Sequence, residues 1–75
     1  MNKVRREELS RVVDLLDQAR DLLETIRDEE QEAFDNLPES IQCSERGEAM
    51  ENCISTMEEM LDYLDTGELQ EIVDG

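Results

Sequence analysis

Val12-Val13-Asp14-Leu15-Leu16-Asp17-Gln18-Ala19-Arg20-Asp21-Leu22-Leu23-Glu24-Thr25-Ile26 is the stretch that decides the fold of this chain. Apolar side chains recur in it at steps of three and four, the period of one face of an α-helix. Followed onward, the pattern reads Val12, Leu16, Ala19, Leu23, Ile26, Glu30, Ala33 and Leu37, spaced 4, 3, 4, 3, 4, 3, 4. That is a heptad seam with one acidic interruption. Leu9 continues it backward. Val13, Leu15, Leu22 and Phe34 widen the stripe beyond the needs of a two-stranded coiled coil, which suits a bundle. No glycine or proline falls between residues 3 and 36, so a helix over 3–36 is predicted. At ~1.5 Å per residue it is about 50 Å long.

Pro38 ends that helix, because proline disfavours helical geometry in the residue before it. Residues 37–44 form the connection, and Ser44 has the character of an N-cap with Glu45 and Glu48 in the first turns. A second helix over 45–64 carries Gly47, Met50, Ile54, Met57, Leu61 and Leu64, spaced 3, 4, 3, 4, 3, with Cys53 and Met60 broadening the face. Gly47 on this stripe is expected to permit close helix approach. Asp65-Thr66-Gly67-Glu68 has the form of a capping box, followed by a short helix over 66–73 with Leu69, Ile72 and Val73 on one face. That segment is either a separate helix or a kinked continuation at Gly67. Residues 1–75 therefore read as a single all-α domain. The expected architecture is an antiparallel helical hairpin with a long first helix, a second helix and a short C-terminal helix, assembling into a dimeric helical bundle.

The need for assembly follows from size. A chain of 75 residues buries only ~60% of its unfolded surface and requires a disulfide, a metal or a partner. Cys43 and Cys53 are too far apart for a disulfide if a helix separates them, since ten helical residues span ~15 Å and the bond needs Cα atoms within ~7 Å. They are expected to be free thiols in a reducing compartment. With no histidine, the usual Cys/His zinc sites are absent. A partner remains. The second helix reaches back only to about Leu16, leaving Leu9, Val12, Val13 and Leu16 uncovered by it. Either the terminal segment or a second copy covers them, and these four residues are the candidate oligomer interface.

Charge is segregated. Residues 1–11 hold Lys3, Arg5, Arg6 and Arg11 against Glu7 and Glu8, while the other 64 residues hold three basic and twenty acidic side chains, for a net charge of −15. In an antiparallel hairpin the basic start lies beside the acidic tail that runs from Glu58 to Asp74. A net −15 chain repels nucleic-acid phosphate and anionic lipid, so neither direct nucleic-acid binding nor membrane binding is expected. No 18-residue apolar run or signal-peptide core is present, and the expected location is cytoplasmic. The polar helix faces account for much of the acid. Asp28, Glu29, Glu32, Asp35, Glu45, Glu48 and Glu51, far from the basic end, form the candidate partner-binding surface for a protein with a basic face.

Catalytic signatures are lacking. Neither cysteine has a histidine to activate it, and there is no Gly-rich phosphate loop or calcium loop. Carboxylate pairs such as Glu45 with Glu48 share a helix face. They allow an Mg-dependent all-α nucleotide pyrophosphohydrolase as an alternative, although such pairs are commonplace when acids number 22 of 75. Ser44 and Arg46 at a helix N-terminus are a candidate anion site, which admits an oligomeric nucleotide-messenger sponge as another alternative. The simpler expectation is that Arg46 pairs with Asp35 or Glu39 and closes the connection. Met50, Met57 and Met60 with Cys53 read as core packing before they read as a groove for a partner helix. No catalytic residue, metal or cofactor is assigned.

The block Ala33-Phe34-Asp35-Asn36-Leu37-Pro38-Glu39-Ser40, followed by Ser44-Glu45-Arg46-Gly47-Glu48-Ala49-Met50, resembles short acidic uncharacterised helical-hairpin proteins of phages and prophages of Gram-positive bacteria. The resemblance covers most of residues 4–64 and brings no functional residues with it. It implies a non-enzymatic accessory protein that acts by binding a host or phage factor, including inhibition of an antiviral defence by imitation of nucleic-acid charge.

Overall fold

The computed structural model describes residues 1–75 and is all-α, with no strand. Helix α1 spans Lys3–Asp35, α2 Glu39–Gln42, α3 Glu45–Tyr63 and α4 Gly67–Asp74. The Asn2 side chain opens α1 by accepting from the Arg5 N–H at 2.9 Å, a cap that offsets three cations in a first turn whose dipole disfavours them. At the other end the Asn36 and Leu37 N–H groups return to the Glu32 and Phe34 carbonyls, and Pro38 prevents any further turn.

The connection contains a short helix that the sequence pattern did not disclose. Pro38 precedes the four-residue α2, and the Gln42 amide donates to the Phe34 carbonyl at 3.0 Å. That bond is a second one to a carbonyl that already accepts from the Leu37 N–H, and it ties the connection to α1. Gly47 is buried beneath α2. A Cβ there would stand 2.0 Å from the Gln42 carbonyl oxygen and 2.6 Å from that of Ile41. The close approach expected at Gly47 is therefore made to the α2 backbone rather than to α1. Ser44 caps α3, accepting from the Gly47 N–H at 3.5 Å and donating to the Ile41 carbonyl.

Contacts between the two halves of the chain run in opposite order. Phe34 meets Gln42, Arg20 Nε donates to the Leu61 carbonyl at 3.5 Å, and the Thr66 hydroxyl donates to Asp17 at 2.7 Å. The chain breaks between α3 and α4 rather than kinking. Leu64 ends α3, and the Asp65 carboxylate accepts from the Gly67 N–H at 3.0 Å. The N-cap is Thr66, one residue later than a capping box at Asp65 requires, and Glu68 makes no reciprocal bond. From Thr66, α4 continues along the start of α1, so the terminal segment of the same chain covers the overhang.

The result is long and thin, 57 × 14 × 13 Å, with a radius of gyration of 17.4 Å. A compact chain of this length has a radius near 11 Å. Only Val13, Ile54 and Leu61 form a buried apolar core, while nine large apolar residues lie exposed. No helix is long and apolar enough to cross a membrane.

Candidate functional site

Burial assigns each helix its inner seam. Along α1 the seam runs through Arg6, Leu9, Val13, Leu16, Leu23, Arg27, Glu30 and Phe34 and on to Leu37 beyond its end, with Ser10, Glu24 and Gln31 partly covered at its edge and Arg20 in the same register but exposed. In heptad terms Arg6, Val13, Arg20, Arg27 and Phe34 occupy a, and Leu9, Leu16, Leu23, Glu30 and Leu37 occupy d. This differs from the seam expected through Val12, Ala19, Ile26 and Ala33, all four of which are exposed. The helix is turned so that Arg20 and Arg27 fall in the inner register, where Arg20 Nε donates to the Leu61 carbonyl of α3 and Arg27 to the adjacent Asp28 carboxylate. On α3 the expected seam is the inward one. Gly47, Ile54 and Leu61 at a are buried, and Met50, Met57 and Leu64 at d are partly so.

In an antiparallel pair the e positions of both helices flank one side of the seam and the g positions flank the other. The e and b positions are overwhelmingly acidic. They comprise Asp14, Asp17, Asp21, Glu24, Asp28 and Asp35 on α1, then Glu48, Glu51, Glu58 and Asp62 on α3, with Asp65 beyond its end. The shared side is visible in a groove lined by Gln31 and Phe34 from α1 and by Glu51, Ile54, Ser55 and Glu58 from α3. The c and g positions are the converse. From Val12 to Ile26 and from Ala49 to Tyr63 they hold no charge. One face of this two-helix layer is acidic and the other apolar.

The seven acids singled out in the sequence are all exposed, but they do not form one surface. Asp28, Asp35, Glu48 and Glu51 share the acidic face. Glu29 lies on the opposite flank, and Glu32 and Glu45 occupy the outward backs of their helices. Asp14, Asp17, Asp21 and Glu24 extend the acidic row along α1 beyond the expected stretch, and their three- and four-residue spacing was the signal for it. The chain contains a single ion pair, Arg27 to Asp28 at 2.8 Å. The Asp28 hydrogen bond, with the fields of Glu24 and Glu58, holds the Arg27 guanidinium above its ordinary pKa against a smaller opposing effect of desolvation.

One expectation about cations is corrected. Arg46 is exposed and pairs with neither Asp35 nor Glu39. It occupies g, on the apolar side of the layer, whereas Asp35 occupies b on the acidic side. Gln42 closes the connection instead. The basic start of α1 does lie against α4, yet Lys3, Arg5, Arg6 and Arg11 make no ion pair, and Arg6 Nε is buried without a partner. Ser44 is engaged as a helix cap. Of the four candidate interface residues, Val13 is 2% exposed, Leu9 and Leu16 are partly covered, and only Val12 stands open at 45%. The intrachain fold thus takes Leu9, Val13 and Leu16 out of any free surface.

Cys43 and Cys53 are free thiols and exposed. No three His, Cys, Asp or Glu side chains converge as a metal site. Comparison with protein-family models, curated proteins and solved structures found no match.

Proposed function

We propose that the chain is a non-enzymatic accessory protein of a phage or other mobile element, acting in the bacterial cytoplasm by protein–protein binding. In this reading it is an antiparallel helical hairpin that self-associates into a bundle and offers its acidic face to a protein with a basic, nucleic-acid-binding surface, such as a host defence factor. The carrying observation is that almost none of the acid is neutralised by a cation within the chain. Of 22 acidic side chains only Asp28 is ion-paired, and its partner is the adjacent Arg27. Unpaired carboxylates along a rigid helix pair repel one another, and a basic partner relieves that repulsion while being steered to the site.

The test is capture from host lysate at rising salt, with Asp28→Asn, Asp35→Asn, Glu48→Gln and Glu51→Gln combined as the control. The expected result is a specific partner held at low salt, released as salt rises and lost with the control. Retention indifferent to salt and to these four changes contradicts an electrostatic mode of action.

A further inference from the structure

We infer that a second copy of this chain docks on the apolar face of the helix pair, burying Val12, Leu15, Ala19, Leu22 and Ile26 of each α1 against the partner. The inference deepens the self-association in the reading above and rests on it. These five residues follow one another at steps of 3, 4, 3 and 4, so they form a seam as regular as the inner one, yet every one is exposed. Leu15 is 65% and Leu22 64% exposed, and with their neighbours they form a contiguous apolar row rather than isolated surface leucines.

The second helix completes the face. Cys53, Thr56, Met60 and Tyr63 occupy the matching positions of α3, with Tyr63 83% exposed and Met60 49%. The one hydroxyl in mid-face is already satisfied. Thr56 donates to the Asn52 carbonyl at 2.8 Å, so its hydroxyl keeps a partner when the face is covered. A shallow hollow lined by Asn52, Cys53, Thr56 and Met57 lies on this side.

Three arguments select a second copy as the occupant. The first is area. The chain exposes 5825 Å². A compact monomer of its 8.7 kDa exposes about 4,700 Å². The excess of about 1,100 Å² exceeds the ~800 Å² that each partner contributes to a standard interface. The second is periodicity. The strongest apolar row of the sequence, through Val12, Leu16, Ala19, Leu23 and Ile26, points between the inner seam and the open face. In a four-helix bundle that direction is the bundle axis.

The third is charge. Two chains of net −15 associate only if their acids stay apart. Apolar-to-apolar stacking puts both acidic faces outside, about two helix diameters of ~10 Å each from one another, well beyond the ~8 Å Debye length. A two-fold axis near Ala19, central in the row, sets the two α1 helices antiparallel. The segment from Lys3 to Arg11 of one copy then lies beside Glu29 and Glu32 of the other. Arg5, one of the six cations with no ion pair within one chain, shares the open side of α1 with Glu29 and meets it across the interface.

Sedimentation equilibrium of the full chain and of Leu15→Glu combined with Leu22→Glu tests this. The expected result is twice the 8.7 kDa chain mass for the native protein and a shift of at least tenfold in the dissociation constant for the variant. A native dimer untouched by the variant overturns the assignment of the face while leaving self-association standing. A native chain monomeric at every concentration overturns both, independently of whether a basic partner is captured. Should the variant lose its helical signal, Ala19→Cys in a Cys43→Ser, Cys53→Ser background decides. A disulfide-linked dimer under mild oxidation supports the two-fold face, and failure to cross-link at concentrations where the protein is dimeric overturns it.

Discussion

Val12 and Val13 are adjacent in the chain and face opposite environments: Val13 is 2% exposed and Val12 is 45% exposed. One residue of helix turns the side chain by ~100°. That turn separates the seam the chain uses internally from the seam it leaves open. If both seams are functional, the two valines report on different events.

Val13→Ala is expected to cost about 1–2 kcal/mol of folding stability, the loss of two buried methyl groups plus a partial cavity. Val12→Ala is expected to leave the helix pair intact and to weaken association. Denaturant unfolding at two protein concentrations a hundredfold apart separates them. The Val13→Ala deficit persists at both, and the Val12→Ala deficit grows where the dimer is populated.

Gly47 and Gly67 give opposite signs. An alanine within a helix ordinarily gains ~0.5–1 kcal/mol over glycine. A Cβ at Gly67 meets only the Asp65 carboxylate at 3.4 Å, so Gly67→Ala is expected to stabilise. At Gly47 the same atom falls 2.0 Å from the backbone carbonyl oxygen of Gln42, a residue anchored by its N–H to the Pro38 carbonyl and by its side-chain amide to that of Phe34. Gly47→Ala is expected to destabilise by about 2 kcal/mol through displacement of α2. Thermal unfolding of the two variants reads the signs directly.

Gln42→Leu removes the side-chain bond that ties the connection to the part-buried Phe34 carbonyl, which keeps its bond from the Leu37 N–H. The expected cost is about 0.5–1.5 kcal/mol. Arg46→Ala, by contrast, removes a cation with no ion-pair partner, and a change within ~0.5 kcal/mol is expected. A larger loss at Arg46 than at Gln42 in denaturant titrations contradicts this account of how the connection is closed.

Salt should stabilise this protein. With 22 acidic side chains and a single ion pair, self-repulsion outweighs pairing, and screening relieves it. The melting temperature is expected to rise on going from about 0.05 to about 0.5 M NaCl, where the Debye length shrinks below ~5 Å. A falling melting temperature points to ion pairs that carry more of the stability than Arg27 and Asp28 do.

Helix limits were legible because their signals are local. Pro38, Ser44 and the glycine-free run to residue 36 act through neighbouring backbone, and α1 and α3 end within one residue of the expected bounds. The orientation of α1 was not legible. Hydropathy counts Arg20 and Arg27 as polar and so places Ala19 and Ile26 inward, whereas both arginines fall in the inner register, with Leu61 O and Asp28 accepting their heads. Those acceptors belong partly to tertiary structure and have no trace in the spacing of α1. The α2 turn was missed because four residues are too few to show a period. The acids were legible as a composition but not as a face. Dividing Glu29 from Asp28 requires the rotation of the helix, which burial alone reveals.

The two thiols supply the most direct test of the open face. Both are exposed in the single chain, but Cys53 lies on the apolar face and Cys43 in the connection away from it. The rate of disulfide exchange with a small aromatic disulfide, measured for each cysteine across a range of protein concentrations, reads the interface in the native protein. A second copy on this face predicts that Cys53 slows sharply as concentration rises while Cys43 stays fast. Equal rates for the two thiols at every concentration would contradict it.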